Sequence, residues 1–309
     1  MTVPAYADLP LIEGLGYPHA WDVWGREDNL GTLNHLTPTR VAAGGAEITT
    51  GRRFALSLPA DLIDPPLFGR QPMTREVFAT SRNDWDERFD SVYPQAASQW
   101  DGLLHVRARE HGFWTGYTGD PPDAKGRLGI EHWANGIAGR GVLLDVEAVM
   151  RGRGAYDPLS PVAVSAADLR EAAAVQGVEV RAGDIHCLRF GWTAAYRGLS
   201  AEGRGAMAAS PAFAGLDGSA EVAEQLWNWN VAAVAADNPA IERAPGDPAI
   251  GSLHRRLLPL LGFALGELFD LDDLAAACRA DGRWSFFCVG VPHRVPGSLA
   301  SAANAIALR

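Results

Sequence analysis

Two hydrophobic periods run through this chain, and its elements change where one period gives way to the other. In Leu253–Leu261, His254, Leu257, Leu258 and Leu261 fall at i, i+3, i+4 and i+7, the spacing of one helical face, and Gly262 closes the run. Ser165–Gln176 predicts a second helix, with Ser165 as N-cap, Asp168 three residues on and Gly177 past the end. Thr37 and Pro38 open a short helix through Arg40, Val41 and Ala42, stopped by Gly44 and Gly45. Ser219–Trp229 and Leu271–Ala280 read as further helices. Short apolar or alternating runs predict strands at Phe54–Leu58, Gly141–Val146, Asp184–Phe190, Val231–Ala235 and Trp284–Val291. Residues 59–92 read as a long surface loop, 119–127 as a turn, 198–218 as a glycine-rich loop or lid, and 296–309 as a small, mostly apolar tail. Strands and helices mix without strict alternation, and no repeat or linker divides the chain. The expectation is one α/β domain over 1–309 with a mixed sheet.

Composition narrows the class. The 309 residues are 47% hydrophobic and 21% charged, enough for a sizeable core. A net charge of -10 argues against a nucleic-acid or anionic-membrane partner. The sequence has no apolar run long enough to span a bilayer, and its first residues lack the pattern of a secretory leader. Cys187, Cys278 and Cys288 lie in apolar contexts and read as buried free thiols in a reducing compartment, which implies a cytoplasmic protein.

The stretch Ser98–Gly119, SQWDGLLHVRAREHGFWTGYTG, concentrates candidate chemistry. Gln99 and Asp101 point to one side of an extended chain, and Gly102 permits a turn that brings His105 back toward Asp101. Such a group suits a metal or a general acid/base pair; the alternative is a strand end with a hydrogen-bonded Asp and a buried His. His254 on its apolar helical face and Glu267 in LLGFALGELFDL could face that pair, although a lone His there also reads as a satisfied core residue. Asp237–Asn238 closes a strand where polar groups often line pockets, or forms an Asx turn before Pro239. Trp100, His111, Trp114 and Asn238 are candidate substrate contacts, and the tryptophans also suit a core. There is no phosphate loop, GxSxG elbow or CxxC pair.

Several segments together resemble the putative-cyclase family, which includes bacterial kynurenine formamidase and isatin hydrolase. The carriers are WGREDNLGTLN at Trp24, QWDGLLH at Gln99, GIAGRGVLLDV at Gly136, GDIHCLRFGW at Gly183, AADNPAIE at Ala235, LHRRLLPLLG at Leu253 and GELFDL at Gly266. Formamidase-like members carry HxGTHxDxxxH. Asp101 and His105 match its last two ligands, Gln95 and Gln99 replace its first two histidines, and the family's later His and Glu resemble His254 and Glu267. The resemblance implies a barrel-like mixed sheet flanked by helices, and a homodimer or homotetramer to which the aromatic loop near Trp21–Trp24 could lend residues. It implies a hydrolase of an amide, formamide or lactam C–N bond in a small, possibly aromatic, molecule. A divalent metal, manganese or zinc, would be held by Gln99, Asp101 and His105, with His105, His254 and Glu267 in catalysis. The lost histidines motivate two alternatives: a metal-independent ring-closing cyclase, and a non-catalytic small-molecule binding protein.

Overall fold

The computed structural model describes residues 2–124 and 126–309. Its strands in chain order are β1 (Arg53–Ala55), β2 (Thr74–Ala79), β3 (Trp85–Asp90), β4 (Gln99–Asp101), β5 (Ile137–Asp145), β6 (Ala163–Val164), β7 (Ile185–Arg189), β8 (Gly215–Leu216), β9 (Ala233–Ala236), β10 (Ala264–Glu267), β11 (Ser285–Gly290), β12 (Ala300–Ala302) and β13 (Ala305–Leu308). The α-helices are α1 (Pro38–Gly44), α2 (Val146–Arg153), α3 (Ala166–Val175), α4 (Trp192–Arg197), α5 (Ala201–Ala209), α6 (Ala220–Asn228), α7 (Leu253–Arg256) and α8 (Asp272–Asp281).

Nine strands form one sheet in the order β1-β13-β11-β5-β7-β9-β10-β4-β12. β5, β7, β9 and β10 run parallel at its centre, with antiparallel pairs on both sides. The topology itself forces curvature. β12 lies at one end of the order and β13 beside the other end, yet only Ala303 and Asn304 separate them. Three chain steps reach about 10 Å, so the two ends must approach and the sheet curls into a half-barrel. Trp100 occupies the closing interior: its indole N–H donates to the Ala303 carbonyl at 3.1 Å and its ring meets Phe269 edge-on at 5.0 Å. Glycine is required where it passes, since a Cβ on Gly290 would stand 2.8 Å from its indole nitrogen. Helices cover the sheet, with α1 against β5 and α3 between α2 and α6.

Caps form as the sequence signals them. Thr37 Oγ1 accepts from the Arg40 N–H, and Ser165 with Asp168 completes a reciprocal capping box. Three expectations need correction. The 59–92 loop contains the β2–β3 hairpin, whose twelve residues are all exposed, so no buried face imposed an alternation that could be read. The 198–218 loop contains α5, capped by Ser200; Gly203 and Gly205 inside it disguise the helical pattern. The tail supplies β12 and β13, which close the curl. The helix from Leu253 also changes character. Past α7 it widens to a π-helical turn over Leu257–Leu261, where Pro259 has no N–H to give. Cys187, Cys278 and Cys288 are buried and free. Among the described residues, no helix is long and apolar enough to cross a membrane.

Candidate metal centre

β4 pairs antiparallel with β10 so that Gln99 stands opposite Glu267, and Asp101 opposite Leu265. Side chains alternate along a strand and cross-strand partners share a face. Gln99, Asp101 and Glu267 therefore share the face away from Trp100. α7 adds His254, whose Nε2 lies 3.0 Å from Glu267 Oε1. One donor atom from each of Asp101, His254 and Glu267 lies within 4.8 Å of the others, a compact set of two carboxylates and an imidazole. The Gln99 amide N–H donates to Glu267 Oε2 and fixes that carboxylate.

His254 is itself held from behind. Its Nδ1 lies 2.6 Å from Glu242 Oε1. Glu242 accepts from the Ser252 hydroxyl at 3.0 Å and from the Leu253 N–H at 2.7 Å. Burial opposes charge on Glu242, yet the His254 ring and these N–H groups outweigh it and hold its carboxyl below the usual range. Burial likewise opposes charge on His254, and the bonds to Glu242 and Glu267 overcome it, so its affinity for a proton is well above normal. In metal sites such a carboxylate fixes the tautomer and ring plane of a ligating histidine.

Asp101 is different. It is 1% exposed, and neither carboxylate oxygen has a hydrogen-bond partner. Burial first, and the nearby Glu267 charge second, push its carboxyl well above the usual range, while His254 and Arg70 pull partly the other way. The Gln99 side-chain oxygen is also buried without a partner. An unpaired buried carboxylate calls for a proton or a cation, and the oxygen–nitrogen–oxygen donor set suits a divalent metal ion. His105 lies beside this group, with Nε2 3.7 Å from Asp101 Oδ2. Burial, then the charges of His254 and Arg70, lower its pKa to about 4, which leaves a neutral imidazole at pH 7.

The sequence-based ligand set was Gln99, Asp101 and His105. The structure gathers Asp101 with His254 and Glu267 instead, with Gln99 turned by its amide nitrogen onto Glu267 and His105 at the margin. Gly102 does turn the chain, and the His105 N–H bonds its carbonyl at 3.0 Å. Three residues expected at the substrate are engaged within the chain in this structure. Trp100 fills the half-barrel because strand alternation turns it away from Asp101. Trp114 is fully buried, donating to Asp28 at 3.1 Å and packing on Gly262. Asn238 spends its amide N–H on the Ala214 and Ile241 carbonyls, at 2.8 and 3.3 Å, and so shapes the turn leading to Glu242. His111 is turned onto Glu110, at 3.4 Å. Trp21 bonds the Pro259 carbonyl and Trp24 packs on Trp114 and Trp227, so both serve their own chain's core. Glu242 and Arg70 were not singled out from sequence. Glu242 ends the AADNPAIE segment, but the irregular stretch between it and His254 hides their pairing; Arg70 lies in the loop that showed no pattern.

Comparison with known proteins agrees with this architecture. The family pattern described as Putative cyclase matches residues 35–243, more than half of the chain. The chain belongs to this family. A crystal structure of a novel cyclase is 30% identical, superposes with a TM-score of 0.82 and covers 94% of this chain and 99% of its own. Isatin hydrolase A from Labrenzia aggregata, bound to benzyl benzoate, is 14% identical, with a TM-score of 0.60 and coverage of 89% and 98%. A "predicted metal-dependent hydrolase" from Bacillus stearothermophilus is 16% identical, with a TM-score of 0.52 and coverage of 84% and 98%. At 14% and 16% identity these last two likenesses are likenesses of fold. No curated protein matches the chain.

Proposed function

We propose that this chain is a hydrolase of a carbonyl–nitrogen bond, in an amide, formamide or lactam of a small molecule, and that it works with a divalent cation, manganese or zinc, held by Asp101, His254 and Glu267. The observation that carries the reading is the buried Asp101 carboxylate with both oxygens unpartnered, within 4.8 Å of two further donors. Hydrolase names among the structural neighbours, an isatin hydrolase and a "predicted metal-dependent hydrolase", support the reading at the level of reaction class. When bound, the cation supplies a Lewis acid for the carbonyl and lowers the pKa of a water.

The chain's own residues supply the rest. Glu242 holds His254 through Nδ1, which leaves Nε2 directed at the centre. Gln99 keeps Glu267 in one orientation. His105, neutral at pH 7, is the group free to take a proton from the attacking water and return it to the departing nitrogen. The water oxygen bonds to the carbonyl carbon, the C–N bond breaks, and the proton carried by His105 passes to the nitrogen, giving a carboxylic acid and an amine, which stay joined in one molecule where the substrate is a lactam.

A second reading has its own observation. Both nitrogens of His254 face carboxylates, so with a proton in place of the cation the Glu242–His254–Glu267 run is a complete acid/base chain for a metal-independent ring closure. Metal content separates the two. Protein purified without added metal or chelator is assayed by plasma mass spectrometry, as wild type and as Asp101→Asn. Near-stoichiometric metal that the variant lacks supports the hydrolase; a metal-free, active wild type overturns it.

A further inference from the structure

The loops that carry the site residues also wall a cavity of about 370 Å³. Ala108 and Arg109 follow His105 by three and four residues. Gly246, Asp247 and Ser252 come from the stretch between Glu242 and His254, and Arg255 follows His254 directly. Cavity and centre share a bond, since Ser252 donates to the same Glu242 oxygen that holds His254. The volume suits a small ligand.

Its lining is chemically divided. Leu15, Tyr17, Pro248 and Ala249 give an apolar wall, and Tyr17 is set firmly because the buried Arg256 guanidinium lies 3.9 Å from its ring centroid. Opposite in character are two guanidinium groups, Arg109 and Arg255, which make no ion pair or hydrogen bond among the described residues. The cavity's one carboxylate, Asp247, has a cation of its own: Arg243 Nη2 lies 3.8 Å away. Its other bond is from the Ala249 N–H at 2.9 Å. Arg109 also sits in the left-handed backbone region, at φ 51°, held there by the bonds of Ala108 to Gly112 and of His111 to Ala108. Left-handed strain at a non-glycine residue persists where the surroundings impose it, and it concentrates at ligand clamps.

We propose that this cavity is the substrate's recognition subsite, and that it selects a molecule with an apolar body and an anionic group, a carboxylate in the first instance, gripped by Arg109 and Arg255. This rests on the hydrolase reading and narrows its substrate class. A planar guanidinium offers two parallel N–H donors to a carboxylate, and two such groups over an apolar wall discriminate charge as well as shape.

The test uses calorimetric titration of the full chain with phenylacetate and with its neutral isostere phenylacetamide. The expected result is a preference of about tenfold or more for phenylacetate, the scale of one charge-assisted contact. The preference disappears in the Arg109→Gln/Arg255→Gln double variant and partly returns with lysine at both positions. Both side chains are exposed, so neither change threatens folding. Asp101→Asn is titrated in parallel and keeps the preference, because the anion does not bind through the metal. Failure of metal binding with the preference intact removes the hydrolase reading alone. Equal binding of the two probes, no binding of phenylacetate, an unchanged double variant, or a preference lost only in Asp101→Asn overturns the subsite.

Discussion

Two clusters of buried charge lie on this sheet, and they are built in opposite ways. At the ends of β5 and β7, Asp145 stands opposite Arg189 in parallel register. Arg189 bonds Asp145 at 3.0 Å and Asp272 at 2.9 Å, and also Glu147. The second Asp145 oxygen takes Arg279. Next to them Asp237 accepts from the Phe190 and Gly191 N–H groups, both at 2.7 Å. Asp145 and Asp101 are equally hidden, at 1% exposure, but every oxygen of Asp145 is answered and no oxygen of Asp101 is. A closed network of this kind fixes the fold, whereas an open one leaves valence for something the chain does not itself supply.

The largest effects should separate the clusters cleanly. Asp101→Asn is expected to abolish both metal binding and turnover, reducing activity to background, while the unfolding free energy of the metal-free protein stays level or rises, since an unpaired buried carboxylate is removed. Denaturant titration beside an activity assay checks this. A loss of several kcal/mol would show that Asp101 is as structural as Asp145. Arg189→Met should behave in the converse way. It leaves one oxygen of the buried Asp145 without its cation, although Arg279 stays on the other and Arg151 stays on Glu147, and costs at most about 3–5 kcal/mol of stability, yet metal stoichiometry in the folded fraction is unchanged. Loss of metal there would mean that the two clusters are coupled through the sheet.

The contrast also marks what could be read beforehand. Patterned elements were legible: the capped helices α1 and α3, the apolar strands β5, β7 and β9, and the buried cysteines all follow from local periodicity and caps. So were the polar residues of the centre, Asp101, His105, His254 and Glu267, because charge in apolar flanks is conspicuous. What failed was geometry. Trp100 and Asp101 are neighbours in sequence and enemies in direction, and only the β4–β10 register shows which face holds the chemistry. Glu242 was invisible because the irregular stretch 243–252 carries no period that could align it with His254. The exposed β2–β3 hairpin escaped because nothing buried imposed an alternation on it.

Smaller effects probe the edges of each cluster. Glu242→Gln keeps the shape of the group behind His254 and removes its charge. Loss of such a support typically lowers metal affinity or activity by about 10–100-fold. Metal titration should show a weaker site of unchanged stoichiometry. An unaltered affinity would mean that Glu242 only anchors the 243–252 loop.

The smallest effect is expected at Asp168, an answered carboxylate far from the catalytic question. It accepts from the Ser165 N–H and hydroxyl, both at 2.7 Å, and pairs with Arg153. Burial alone would raise its pKa, but these bonds prevail and hold it below the ordinary aspartate range. A depressed folded-state pKa contributes stability that is present above the unfolded value and lost as pH falls through the folded one. Asp168→Asn should therefore cost about 1 kcal/mol at neutral pH, the scale of a helix cap, and the difference from wild type should vanish in acid. Asp101→Asn has the opposite sign of cause, since its carboxyl is pushed up rather than down. Thermal unfolding of both variants in chelator, from neutral to acid pH, places the two carboxylates on one scale. If the Asp168→Asn penalty persisted unchanged in acid, it would come from the shape of the cap and not from the charge, and a bonded carboxylate would no longer be a fair reference for the unbonded one.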